Sequence, residues 1–188
     1  MTDTMSFGYD GDGGLGDRLL AAVVRGEKTA TSSLAVEYLS GEPLPRVGER
    51  LSLVDHGGRP HGVVETTRVT IVPLHLVGDD VARDEGEGFA DAAQWRQAHV
   101  AFWAETADLV RADAGDPEWH LREAEPVVVQ WFRLLEPAAE PAAARRPGVR
   151  SFVTHDHGGA ARPARRPVVL RLPGRLVGRQ PTSWSTEC

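Results

Sequence analysis

The spacing of apolar residues predicts four helices along the chain. Residues 15–26 carry apolar side chains at helical spacing, and Gly26 is placed to end this first helix. A short helix fits 34–39 and another fits 77–83. The strongest helical period runs from 92 to 112, where large apolar and aromatic residues recur every three or four positions.

Alternating or β-branched runs predict strands at 29–33, 49–55, 60–72 and 125–136. A glycine turn joins the second and third of these, so they form a hairpin. A hairpin, a long helix and a closing strand do not make a regular βαβα alternation. The pattern therefore predicts an α+β domain built on a curved, mostly antiparallel sheet or small barrel with flanking helices.

Charge divides the 188 residues into an acidic part and a basic end. Residues 1–136 hold 12 Lys and Arg against 24 Asp and Glu, whereas 137–188 hold 9 Arg against 3 acids. We expect a flexible leader at 1–13, one domain at 14–136, and a Pro-, Arg- and Ala-rich tail at 137–188 that is mostly disordered. The acidic domain favours a small substrate over a long nucleic acid, whose affinity comes from neutralised phosphates.

Several classes of function are disfavoured by the sequence. The single cysteine, Cys188, excludes an internal disulfide framework, and no apolar run approaches the roughly 20 residues that span a bilayer. We therefore expect a cytoplasmic protein without a membrane partner. His155 and His157 lack further ligands for a metal, and the glycine-rich segment 11–16 follows no strand, so no metal and no cofactor are expected.

Lys28 is the only lysine in the chain, and the other 20 basic residues are arginine. Because lysine can lose its proton when it is buried and arginine cannot, a lone lysine suggests a role that arginine cannot fill. Three hydroxyl groups follow closely, on Thr31, Ser32 and Ser33. The alternative is a lysine retained by chance on a surface loop.

Five segments in order resemble the ASCH-domain family: GEKTATSSL, VVETTRV, DEGEG, WRQAHVAFW and VVVQWFRLL. The resemblance covers residues 7–135 and implies a PUA-like β-barrel whose members act on RNA or modified nucleosides. One precedent is a bacterial amidohydrolase that deacylates N(4)-acetylcytidine, and another is a ribonuclease. The amidohydrolase's K-x-x-T motif corresponds to Lys28 and Thr31, and its strand glutamate corresponds to Glu65.

The resemblance thus implies that Lys28, Thr31 and Glu65 are catalytic. In this hypothesis Thr31 is the nucleophile, and Lys28 either takes its proton or stabilises the oxyanion while Glu65 carries protons. On a strand, a separation of three residues would place Lys28 and Thr31 on opposite faces. The two side chains converge only if this stretch is turned, which a structure can test.

Further residues are candidates for contacts to the substrate. The glycines around Glu87 could form a lid, although a solvated acidic loop fits equally well. Trp95 and His99 lie one helical turn apart and could hold a base, but aromatic residues at this spacing more often belong to a core. The substrate-binding candidates are Ser32, Tyr38, Glu87, Trp95 and His99.

The hypothesis that these residues favour is an amidohydrolase acting on a small nucleoside of the N(4)-acylcytidine type. The alternatives are a PUA-like module that binds RNA without catalysis and a ribonuclease using the same pocket. RNA is therefore the alternative partner. The sequence does not indicate an oligomeric state.

Overall fold

The computed structural model describes residues 3–8, 11–137 and 168–169. Its α-helices are α1 (Leu15–Val24), α2 (Asp79–Asp84), α3 (Ala92–Glu105) and α4 (Ala107–Ala114). Its strands are β1 (Thr4–Ser6), β2 (Ala30–Leu34), β3 (Arg50–Val54), β4 (Pro60–Pro73), β5 (Pro126–Pro137) and β6 (Val168–Val169). Short 3₁₀ helices span Ala35–Ser40 and Leu74–Leu76.

The strands form one curled sheet in the order β2-β5-β4-β3-β1-β6. The pairs β2–β5, β5–β4 and β4–β3 are antiparallel, whereas β1 runs parallel to both β3 and β6. Irregularities in the β4–β5 register at Val63/Val64 and Thr66/Arg68 bend the long strands. The result is a mixed half-barrel with flanking helices, which confirms the predicted PUA-like α+β fold.

The expected leader is wrong for part of its length. Thr4–Ser6 form β1, and Met5 and Phe7 are almost completely buried. These apolar side chains pack with the α1 residue Leu19 in one hydrophobic cluster, so their burial holds the segment in place. The predicted tail, 137–188, lies outside the described residues except for Pro137 and β6.

The long predicted helix is divided into α3 and α4 at Thr106. Thr106 leaves helical geometry, with φ −100° and ψ 9°, and its hydroxyl donates to the Phe102 carbonyl. This side-chain bond competes with the regular backbone ladder, which is a common cause of bends at threonine. The break turns α4 back toward the 3₁₀ helix at Ala35–Ser40, which α4 contacts.

The two faces of the sheet differ in what covers them. The first, here the α3 face, carries Ala30, Ser32, Val129 and Trp131, and its apolar residues pack with the α2 and α3 side chains in one core cluster. The other, here the α1 face, carries the alternate residues of β2 and β5. Its cluster combines side chains of α1, β1, β3, β4 and β5.

Candidate active site

Lys28 lies in the turn between α1 and β2 and is 2% exposed. Gly26, with φ +75°, reverses the chain after α1. The Lys28 Nζ atom donates to Glu87 Oε1 at 2.7 Å and to the Glu85 carbonyl oxygen at 3.2 Å. It also lies 5.5 Å from the centre of the Phe7 ring. Burial removes the water around an ammonium group, and these partners compensate for that loss with an opposite charge and hydrogen bonds.

The segment that carries Glu85 and Glu87 packs directly on the backbone around Lys28. The Thr29 amide donates to the Asp84 carbonyl at 2.7 Å. Gly86 has φ +64°, and a Cβ atom there would lie 2.4 Å from the Glu27 carbonyl oxygen. Only glycine fits such an approach. The backbone of this segment is therefore held against the Lys28 turn, which does not match the lid interpretation.

Glu85 links Lys28 to the α3 face. Its carboxylate accepts a hydrogen bond from the Ser32 hydroxyl at 2.5 Å and lies 3.4 Å from His99 Nε2. Burial raises the pKa of Glu85, but the charge and hydrogen bond of His99, with Lys28 and Ser32, outweigh burial and lower this pKa to about 2. Glu85 is therefore ionised across the physiological pH range.

Trp95 and His99 belong to the core. Trp95 is 0% exposed, and its ring stacks on that of His99 with centroids 3.9 Å apart. His99 Nδ1 pairs with the Trp95 carbonyl at 2.9 Å, while its other nitrogen faces Glu85. Neither ring presents an open face for a base, because each is covered by the other and by Trp103.

Tyr38 lies in the 3₁₀ helix that follows β2, and its hydroxyl is 2.8 Å from Ser33 Oγ. Burial raises the pKa of the Tyr38 phenol to about 12, so it stays neutral at physiological pH. Among the described residues, no hydrogen bond links Tyr38 to Lys28 or to the Glu85 carboxylate.

Thr31 lies on the α1 face, whereas the adjacent Ser32 lies on the α3 face. Thr31 pairs with Gln130 on β5, and Ser32 pairs with Val129. Side chains alternate between the two faces only within a strand. Lys28 lies in the turn before β2, so this alternation does not place it opposite Thr31. Its ammonium lies beside Phe7, a member of the cluster on the Thr31 side of the sheet.

The structure does not bring Glu65 to Lys28. Glu65 pairs across β4 with Arg133, which shares the α3 face with Trp131, so Thr31 and Glu65 lie on opposite faces. Its carboxylate accepts from Arg133 at 2.7 Å and from Arg50 at 3.2 Å. These two hydrogen bonds, the Arg133 one foremost, lower the pKa of Glu65.

The glycine-rich segment before α1 is capped by its own acid. The Asp12 carboxylate accepts the amide N–H groups of Gly14, Leu15 and Gly16, so an internal acid already occupies the start of α1. Within residues 3–8 and 11–137, no cluster of three His, Cys, Asp or Glu could hold a metal ion. Over the same described part, no helix is long and apolar enough to cross a membrane.

Sequence reasoning missed two residues of this region, Glu85 and Gln130. Glu85 lies in the DEGEG segment, and the sequence offers no reason to choose it over Glu87 as a site residue. Gln130 sits in the apolar β5 run VVVQWFRLL, and a polar residue on the buried face of a strand is a signal that could have indicated it.

Comparison with known proteins places the whole described domain in one family. Protein EF3133 from Enterococcus faecalis V583 is 25% identical, with a TM-score of 0.62 over 79% of this chain and 87% of that protein. An ASCH domain from Lactobacillus crispatus JV V101 is 28% identical, with a TM-score of 0.59 over 71% of this chain and 80% of that one. No curated protein matches the sequence significantly. The sequence model of the ASCH domain matches residues 3–136, and the chain therefore belongs to the ASCH-domain family.

Proposed function

We propose that this chain hydrolyses the exocyclic amide of a small acylated nucleoside of the N(4)-acylcytidine type. One observation carries the proposal: the only lysine is buried, and it is paired with a carboxylate, Glu87, whose side chain stays 21% exposed. A largely buried ion pair contributes little to stability, because the free energy lost in desolvating the two charges offsets their attraction. Such pairs are common where charge develops during a reaction.

The reaction needs a nucleophile, a proton carrier and a positive group. The Thr31 oxygen attacks the acyl carbon, and its proton passes to the Glu87 carboxylate. Lys28 stabilises the negative oxygen of the tetrahedral intermediate. The carbon–nitrogen bond then breaks and Glu87 returns the proton to the leaving amine. Water hydrolyses the Thr31 ester, which releases the carboxylic acid and restores the hydroxyl.

Glu87 takes the proton-carrying role here in place of Glu65. Glu87 contacts the Lys28 ammonium directly, whereas the Glu65 carboxylate contacts Arg50 and Arg133 on the α3 face. Two arginines that lower the pKa of Glu65 also make it a weaker base. The catalytic role that the resemblance implies for Glu65 stays a prediction.

The proposal is tested by incubating the protein with N(4)-acetylcytidine and measuring cytidine and acetate by mass spectrometry. We expect Lys28→Met to lower kcat/KM by about 10²–10³-fold, since it removes the oxyanion partner. Glu87→Gln keeps the shape but removes the base, and a loss of about 10²–10⁴-fold is expected. Glu27→Gln is the matched control, because Glu27 is exposed and paired only with Arg25 among the described residues.

The same proteins distinguish the RNA alternatives, which the PUA-like fold also permits. Arg50, Arg68 and Arg133 are each more than half exposed on the sheet, and Arg68 lies 3.4 Å above the Trp131 ring. Such a surface could contact phosphates. Labelled RNA that binds in a salt-dependent way and survives Lys28→Arg would support a binding module. Cleaved RNA with intact acetylcytidine would support a ribonuclease, and either result without deacylation would refute the proposal.

A further inference from the structure

Gln130 holds a buried amide that is only half satisfied. The residue is 2% exposed, and its Nε2 atom donates to the Thr66 hydroxyl at 2.8 Å. Among the described residues no donor reaches its Oε1 atom. An amide oxygen that is removed from water without a partner destabilises the folded state. Nothing in the packing of β5 requires a glutamine, since its neighbours on this strand are apolar.

This unpaired oxygen belongs to the residue that lies beside Thr31. Gln130 and Thr31 are direct cross-strand partners on the α1 face, so their Cβ atoms are about 4.5–5.5 Å apart. Thr66, which orients the amide, is on β4, on the side of β5 away from Thr31. Thr31 and the unpaired Gln130 oxygen therefore belong to directly paired residues on one face of the sheet.

Two features connect this acceptor with the Lys28 site. Phe132, two residues along β5 from Gln130, packs in the same cluster as Phe7. The Lys28 ammonium lies over the Phe7 ring. The α1 face thus carries a hydroxyl and an amide oxygen on directly paired residues, and the Lys28 ammonium lies against Phe7 of the cluster on the same side of the sheet.

We infer that Gln130 Oε1 accepts a hydrogen bond from the N–H group of the amide that is cleaved. This inference rests on the proposed function and adds a determinant of substrate choice. The carbonyl oxygen of the substrate faces Lys28, its carbon faces Thr31, and its nitrogen donates to Gln130. A site built to hydrogen-bond an N–H rejects an analogue that lacks it, because its own buried group is then left unpaired. The protein is therefore selective for secondary amides.

The test compares N(4)-acetylcytidine with N(4)-acetyl-N(4)-methylcytidine, whose amide has no N–H group. The quantity measured is the ratio of kcat/KM for the two substrates. In Gln130→Met, which keeps the length of the side chain but removes the acceptor, we expect this ratio to fall about tenfold relative to wild type. Thr66→Val, which removes the group that orients the amide, should lower the ratio less.

Gln97→Met makes the same change on the exposed surface of α3 and should leave the ratio unchanged. If acetylcytidine is cleaved but the ratio is the same in wild type, Gln130→Met and Thr66→Val, the inference fails and the proposed function stands. A wild-type protein that prefers the methylated substrate would overturn the inference, because an acceptor at Gln130 Oε1 cannot favour an amide that lacks an N–H group. If wild type cleaves neither substrate, both proposals fail together.

Discussion

Thr31 and Ser32 are adjacent hydroxyl residues on one strand, yet their surroundings differ completely. The Ser32 hydroxyl is buried on the α3 face and is bound to the ionised Glu85. The Thr31 side chain is half-buried on the α1 face, and no hydrogen bond within the described residues engages its hydroxyl. The Ser32 hydroxyl is fixed in a buried network and serves structure, whereas the Thr31 hydroxyl is left available for the proposed chemistry.

In the proposed site, the α3 face holds the supporting network and the α1 face carries the reactive hydroxyl. On the α3 face, Glu85 is held by Ser32 and His99. Its backbone carbonyl in turn holds Lys28. On the α1 face, Thr31 and Gln130 are paired across β2 and β5, and Lys28 lies against Phe7 of the cluster on that side. A rigid network behind a reactive group is what precise positioning requires.

The largest expected effect separates the two hydroxyls directly. Thr31→Val should lower kcat on N(4)-acetylcytidine by on the order of 10³-fold or more, because it removes the nucleophile, without lowering the melting temperature. Ser32→Ala should instead lower stability and leave kcat largely unchanged. It leaves one Glu85 oxygen without a donor, so we expect a loss of about 1–3 kcal/mol in the free energy of unfolding with activity largely retained. Equal activity losses in the two variants would contradict this division.

A second prediction concerns the acid stability that Glu85 provides. Because the folded pKa of Glu85, about 2, lies below the ordinary glutamate pKa of 4.5, the unfolded chain binds a proton between these values and the folded chain does not. The stabilisation is therefore present above pH 4.5 and is lost as the pH falls toward 2. Glu85→Gln should flatten the dependence of the free energy of unfolding on pH by about one proton in this window. Chemical denaturation at several pH values measures it.

For that experiment Glu27→Gln serves again as the control, since Glu27 is exposed and pairs with Arg25. Wild type and Glu27→Gln should show a similarly steep loss of stability below pH 4.5, the ordinary pKa of a glutamate. If Glu85→Gln retained the slope of wild type, other carboxylates would account for the acid sensitivity. The role given to the Glu85–His99 pair would then be incorrect.

The smallest effect is expected for Glu65→Gln. The change removes one charge from exposed ion pairs with Arg50 and Arg133, which contribute little to stability in water. On the geometry described here, deacylation should stay within about a factor of two of wild type. A steady-state assay beside Glu87→Gln decides between the two carboxylates. Inactivity of Glu65→Gln with an active Glu87→Gln would favour the assignment that the resemblance implies.

The fold was largely predictable because its signals are local. The helix ending at Gly26 and the strands of the hairpin follow from periodicity and turn residues in short windows. The break at Thr106 was not visible, since the apolar pattern continues across it and one side-chain bond ends α3. β1 was missed because three residues in a glycine-rich, acidic stretch carry too little pattern to indicate a strand.

The site was predictable only where a residue was unusual by itself. Lys28 could be singled out because it is the only lysine, and its burial shows that it is not a lysine retained on a surface loop. The partnership of Lys28 with Glu85 and Glu87 joins positions 57 and 59 residues apart, and no local pattern encodes it. The face on which each β2 hydroxyl lies depends on the strand register, which short-range sequence patterns do not define.

The contact of Gly86 with the Lys28 turn has a consequence for the order of assembly. Lys28 cannot be buried alone, since an ammonium loses its hydration before any carboxylate replaces it. Its partners Glu85 and Glu87 are 57 and 59 residues away along the chain, so its burial requires this non-local contact to be closed. Closing so long a loop is slow relative to local structure. The site should thus be among the last parts of the domain to form during folding, and its completion marks the native state.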